Sequence, residues 1–293
     1  MIQTATVHAA DKRRLAIGLM RLVRPSNSLP ASLLVLIGAY LAAGWPVARP
    51  AWQAAAAMWC VTAFGYASND YFDIHEDSIN KPDRPLPAGI VSAQGVAWLA
   101  AGLALGALLF SLPLGGLPTI VAISVMGLLT LYNIRLKATA GGGNLLIALL
   151  AGCTLLAGSV AVGGLNHSAV EAVLAPACIL STFVAAREML KALEDVHGDR
   201  AAGKTTIATQ LGARGVLRLV GCLSGVTIGL SLIPFYGQGY SSAYLLVVEL
   251  GIGAPLVFAT VYLWRDAHSH RVSRCLALLK GSYFAGLLAL LLA

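Results

Sequence analysis

Charge is scarce in this chain. Of its 293 residues only 11% are Asp, Glu, Lys or Arg, against about 25% in an ordinary soluble domain. So few charges cannot cover a water-exposed globule of this size, and a soluble fold is excluded. Paired cysteine spacing is also missing. Cys60, Cys153, Cys178, Cys222 and Cys275 are scattered with no C-x-x-C, so they read as small packing residues rather than disulfides, zinc ligands or nucleophiles. Around His75 and His197 there is no closed or three-ligand zinc spacing. The polar N-terminal stretch MIQTATVHAADKRR leads to no short apolar core with a small-residue cleavage site, so a removable signal peptide is not expected. No aromatic-studded basic surface accompanies the net charge of +7, so a nucleic-acid partner is not expected either.

What the chain has instead is length of apolar run. Hydrophobic residues make up 58% of it, in stretches of about 20 residues that read as bilayer spans. Nine such stretches are expected, near residues 27–44, 51–71, 92–112, 116–133, 143–163, 168–190, 213–233, 243–264 and 272–292. The expected architecture is an all-α integral membrane protein forming one domain over 1–293, with residues 1–26 as a cytoplasmic or interfacial N-terminal segment.

The cations test that count. Lys12, Arg13, Arg14, Arg21 and Arg24 precede the first span, and Lys81 and Arg84 follow the second. Arg135 and Lys137 follow the fourth, a group from Arg187 to Arg218 surrounds the connection after the sixth, and Arg265, Arg271 and Arg274 follow the eighth. If the spans alternate, all of these fall on one side and only Arg49 on the other. The positive-inside rule then puts the charged loops in the cytoplasm. Glu249 and Lys280 fall inside spans, at depths about 10 Å apart, and are not expected to pair.

Two acidic clusters carry the chemistry. The first is Asn69-Asp70-Tyr71-Phe72-Asp73-Ile74-His75-Glu76-Asp77, expected to continue the second span's helix. On a continuous helix Asn69, Asp70, Asp73 and Asp77 share one stripe. Bare like charges there repel, and a bound divalent cation removes the repulsion. Oxygen-only ligands suit Mg²⁺ or Mn²⁺. The second cluster, Glu194-Asp195-Val196-His197-Gly198-Asp199, repeats the form D-[IV]-H-x-D four spans later. This echo suggests two four-helix halves in parallel repeat plus a ninth helix. A single cluster reads equally well as a solvated helix end. Two matched clusters fit a diphosphate bridged by metal ions, with Lys81, Arg84, Arg135 and Lys137 as phosphate partners. The competing class is an ion-coupled transporter, which would place its carboxylates nearer the midplane.

These residues resemble a known family. Asn69-Asp70-x-x-Asp73-x-x-x-Asp77 and Asp195-x-x-x-Asp199 are similar to the two aspartate-rich motifs of the UbiA superfamily of intramembrane prenyltransferases. The resemblance implies nine helices around a central cavity and transfer of a prenyl group from a prenyl diphosphate, within membrane lipid, to a lipid-type or aromatic acceptor. It further implies that Asn69, Asp73, Asp77, Asp195 and Asp199 hold the Mg²⁺–diphosphate unit, and that Asn27, within Arg24-Pro25-Ser26-Asn27, lines the same cavity. Asp70 is a candidate to take the acceptor's proton. Residues 69–89 and Arg187-Glu188-x-x-Lys191-x-x-Glu194-Asp195 are most similar to the archaeal ether-lipid synthases within the superfamily. Ala192 departs from them, standing where an aspartate often follows the lysine.

Overall fold

The computed structural model describes residues 2–201 and 203–293, without the side chains of residues 2–11, 80 and 138. All regular structure among the described residues is helical. Helix α1 (Ile2–Val23) is followed by α2 (Pro25–Ala43), α3 (Arg49–Phe72), the short α4 (Ile74–Asn80), α5 (Ala93–Ser111), α6 (Gly116–Ile134) and α7 (Gly142–Gly163). Next come α8 (His167–Glu194), the short α9 (Val196–Ala201), α10 (Ile207–Gly237), α11 (Ser242–Val248), α12 (Ala254–Arg265) and α13 (Ser269–Leu291). A π-helical stretch, Glu249–Gly253, joins α11 to α12 as one rod.

Eight of these rods are long and apolar enough to cross a bilayer, counting α11 to α12 as one. The 24-residue α3 is long enough but is not among the eight. Arg49 and Gln53 at one end, and Asn69 and Asp70 at the other, dilute its apolar character. Burial confirms the solvent. Only 11% of the apolar window of α6 is buried, and Leu117, Ile120, Val121 and Ile123 on it are exposed. Such a surface needs lipid around it. The chain is an integral, multi-pass membrane protein.

The residues group into two compact units. One comprises Met1–Leu33 and Trp52–Ile134. Its core packs Leu22 and Val23 of α1, Ala63 and Ala67 of α3, Leu86 and Val91 of the Pro-rich segment, and Val96 and Leu103 of α5. The other comprises Leu34–Ala51 and Arg135–Ala293, built around Phe183, Leu190, Leu217, Leu256, Leu263 and Leu279. This division differs from the expected four-helix halves, because most of α2 belongs with α7 to α13. The cause is a close helix crossing. A Cβ on Gly158 of α7 would lie 1.8 Å from the Val35 carbonyl oxygen, and one on Gly38 of α2 would lie 2.1 Å from that of Leu155. Two glycines let the backbones touch, as small residues do in membrane interfaces.

Inside the second unit, Ser231 on α10 donates to Glu249 Oε1 at 2.5 Å. That gives the intramembrane carboxylate a local partner, while Lys280 is exposed.

Candidate active site

Helix α3 does not run through the first acidic cluster as expected. It ends at Phe72, and Asp73 (φ −90°, ψ 6°) is the junction to α4. The break is shallow, since the Asp73 N–H still donates to Asn69 O and the Asp77 N–H to Asp73 O, at 2.9 and 2.8 Å. The second cluster has the same construction. Helix α8 ends at Glu194, Asp195 is the junction (φ −85°, ψ −2°), and the Asp199 N–H donates to Asp195 O at 3.0 Å. In each unit the leading aspartate therefore sits where a long helix gives way to a short one.

The first cluster is buried and strongly cross-linked. Asp70, Asp73 and Asp77 are 3%, 8% and 5% exposed, so each carboxylate needs compensation. Asp70 Oδ1 accepts from Arg24 Nη2 at 2.5 Å and from Arg84 Nη1 at 3.2 Å. The same Arg84 nitrogen also pairs with Asp77 Oδ2. Asn69 Nδ2 donates to Asp73 Oδ2 at 3.0 Å and to Asn133 Oδ1 at 3.2 Å, and Asn133 in turn donates to Ser68 Oγ. Both amide hydrogens of Asn69 are thereby committed, which leaves its carbonyl oxygen to accept or ligate.

Two further elements hold Arg24 and Arg84 in place. Pro25 disfavours helical backbone at Arg24, which adopts φ 45° in the left-handed region and so ends α1. Its guanidinium also lies 4.9 Å from the centre of the Tyr66 ring. A strained, non-glycine residue at a charged site is the expected place for such a cost. Arg84 sits in a segment folded on itself: the Arg84 N–H donates to Lys81 O, the Ala88 N–H to Arg84 O and the Ile90 N–H to Pro85 O. Replacing Arg84 with Ala leaves Asp70 and Asp77 short of a buried counter-charge. The expected loss is about 1–3 kcal/mol of stability, read as a lower midpoint in thermal unfolding in detergent.

The other expected site residues are placed differently. Lys81 is exposed at the end of α4, and Asn27 is half-buried in the first turn of α2, its N–H donating to Arg24 O. Arg135, exposed, and Lys137, half-buried, lie in the second unit, as do Asp195, which is exposed, and Asp199, half-buried. Sequence reasoning did not assign Arg24, Tyr66, Ser68 or Asn133 to the site. It also gave no role to Glu188, which is buried between Arg187 (3.3 Å) and Lys191 (3.6 Å) on α8, while Asn144 of α7 donates to its carbonyl. Among the described residues no three His, Cys, Asp or Glu side chains gather closely enough to cage an ion by themselves. The oxygen-only donors of the first cluster, the Asp73 and Asp77 carboxylates and the Asn69 carbonyl, fit Mg²⁺, which takes one or two carboxylates and completes its shell with water and phosphate oxygens.

Residues 31–285 match the model of the UbiA prenyltransferase family. The chain belongs to that family. This UbiA-family chain is 40% identical over 245 residues to digeranylgeranylglyceryl phosphate synthase of Halobacterium salinarum, covering 83% of this chain and 86% of that one. It is 35% identical over 272 residues to the synthase of the same name from Natronomonas pharaonis, covering 93% and 95%. A solved structure reported for digeranylgeranylglyceryl phosphate synthase in membranes superposes with a TM-score of 0.75 at 26% identity, over 94% of this chain and 97% of that one. A UbiA homologue from Archaeoglobus fulgidus, bound to GPP and Mg²⁺, has the same fold: TM-score 0.69, 18% identity, 92% and 99% covered. The UbiA-family chain is a prenyltransferase. The transporter reading has no support among these relatives.

Proposed function

We propose that this prenyltransferase, one catalytic domain over 1–293, transfers a prenyl group from a Mg²⁺-bound prenyl diphosphate to the hydroxyl of a glycerol-phosphate lipid. The observation that carries the reading is the shared construction at Asp73 and Asp195, in a chain that is similar over most of its length to digeranylgeranylglyceryl phosphate synthases. Asn69, Asp73 and Asp77 from one cluster, with Asp195 and Asp199 from the other, would hold the metal–diphosphate unit. Mg²⁺ supplies positive charge against the diphosphate as the C1–O bond breaks; Mn²⁺ has the same preference for oxygen.

The chain's own cations do the rest of the electrostatic work. Cleavage leaves negative charge on diphosphate and positive charge on the prenyl carbon. Arg84, Lys81, Arg135 and Lys137 stabilise the leaving group, and apolar walls keep water from the allylic carbon while the acceptor oxygen attacks and gives its proton to the departing diphosphate. Asp70 is given a different role from the proton acceptor considered above. It is committed to two guanidiniums, which suits it to hold Arg24 and Arg84. Asn27, close to Arg24 in the chain, is assigned to the substrate side of that pair.

Chelation with EDTA should abolish diphosphate release and added Mg²⁺ should restore it; full activity in metal-free buffer would contradict the metal site. The acceptor is tested with membranes, labelled prenyl diphosphates of several lengths, and a panel of glycerol-phosphate lipids, 4-hydroxybenzoate, homogentisate and dihydroxynaphthoate. Label is expected in the glycerol-phosphate lipid. Label only in an aromatic acid would assign the chain to aromatic prenylation.

The charged loops are placed on the cytoplasmic face of the cell membrane, as the distribution of Lys and Arg supports. In a cysteine-free background, single cysteines at positions 83 and 203 should label from the cytoplasm and one at 237 from outside. Opposite labelling of 83 and 203 would defeat a shared site.

A further inference from the structure

Helix α1 has two faces, and only one is explained by packing. Leu22 and Val23 are buried and Leu19 half-buried, against Leu86 and Val91 of the Pro-rich segment. The opposite face carries Ile17, 51% exposed, and Met20, 61% exposed. Arg13 and Arg14 stand one turn before Ile17 and Arg21 one turn after it, all exposed. Residues 12–23 contain no Asp or Glu. An apolar centre ringed by guanidiniums suits neither bulk water nor hydrocarbon. It suits the headgroup layer, where Ile17 and Met20 enter the acyl boundary and the arginines reach phosphate.

The same helix is tied to the acidic cluster. Arg21 Nη2 donates to the Asp83 carbonyl at 2.9 Å in the segment that carries Arg84. Arg24, the next residue after α1, pairs with Asp70. We propose that the outward face of α1, formed by Arg13, Arg14, Ile17, Met20 and Arg21, docks on anionic lipid headgroups and thereby holds the Arg24–Asp70–Arg84 cluster at headgroup depth. The occupant is a lipid surface because the face combines insertable apolar side chains with exposed positive charge on a helix of a membrane-embedded chain.

The test uses the full chain in lipid nanodiscs, with an environment-sensitive fluorophore on a cysteine replacing Met20 in a cysteine-free background. Raising the fraction of phosphatidylglycerol in phosphatidylcholine should shift the probe toward an apolar environment, and added salt should reverse the shift. Each basic residue near an anionic leaflet typically strengthens association about fivefold. Arg13→Gln with Arg14→Gln should therefore weaken the phosphatidylglycerol-dependent docking by more than about tenfold, moving the probe's response to higher fractions. Prenyl transfer in the native chain should rise with phosphatidylglycerol, whereas the double variant should keep the neutral-lipid rate and lose the rise. A probe signal independent of lipid charge, or identical in native and variant chains, overturns the proposal, as does a probe shielded equally in detergent by a second copy or another protein. The fluorescence arm does not depend on the proposed reaction: absence of prenyl transfer with an intact phosphatidylglycerol response would refute the reaction and support the docking face.

Discussion

Asp73→Ala and Asp195→Ala are each expected to lower prenyl-diphosphate turnover by about 10²–10³ while the protein remains folded, because each removes one strong electrostatic stabiliser of the leaving group. The two residues differ in exposure, one buried and one at the surface of its unit, yet both occupy the junction between a long and a short helix. If they serve one metal–diphosphate unit, the double variant should be little slower than the slower single variant, since groups acting as a unit are non-additive. Independent roles would instead multiply the losses. Folding should survive, because each change also removes a carboxylate from a like-charged cluster. Glu171→Ala, in the first turns of α8 far from Asp195, is the control and should leave turnover unchanged. The measurement is diphosphate release per mole of monodisperse protein. Near-native rates in both single variants would make the aspartates ordinary helix ends.

The second large effect is on stability. Gly158→Ala should lower the unfolding midpoint more than any single surface change. The new methyl would meet the Val35 carbonyl oxygen at 1.8 Å, with the Val35 carbon and Ala39 nitrogen also within 3 Å. These are backbone atoms of α2, and no rotamer change can move them aside. Helices α2 and α7 must separate, which costs about 3 kcal/mol, the upper end of what overpacked interiors show. Gly38→Ala should act in the same way from the other helix. Gly225→Ala is the matched control: the glycine is helical on α10 with nothing near its missing Cβ, so alanine there should be neutral or stabilising by up to about 1 kcal/mol. Equal midpoints for the 158 and 225 variants, by thermal unfolding in detergent, would show that the crossing yields freely.

Much of this is legible in the sequence because it depends on short stretches. Apolar length marks the spans, and their bounds follow from where polar residues return. The pairing of Lys and Arg with alternate connections needs only counting. Both acidic clusters could be read because their residues lie within nine positions of each other. The partners of those clusters were not legible. Arg24 lies 46 residues from Asp70, and Asn133 lies 64 from Asn69. Apart from the proline that follows it, nothing local marks Arg24 as more than one more cation near the first span. The one available signal was Arg24-Pro25, where a proline after a charged residue predicts a break that could aim the side chain sideways.

By itself the amino-acid sequence determined that this chain lies in a membrane, that it carries two matched acidic clusters, and that it resembles the prenyltransferases with whose family it aligns. These properties follow from hydropathy and from chemistry carried on a few consecutive residues. The tertiary structure decided that the first cluster is buried and neutralised by Arg24 and Arg84, that helices break at Asp73 and Asp195, and that α2 packs with α7. Each of these depends on which distant atoms come within a few ångströms. A buried carboxylate takes whichever guanidinium the fold delivers, and a glycine reveals its purpose only when another backbone lies against it.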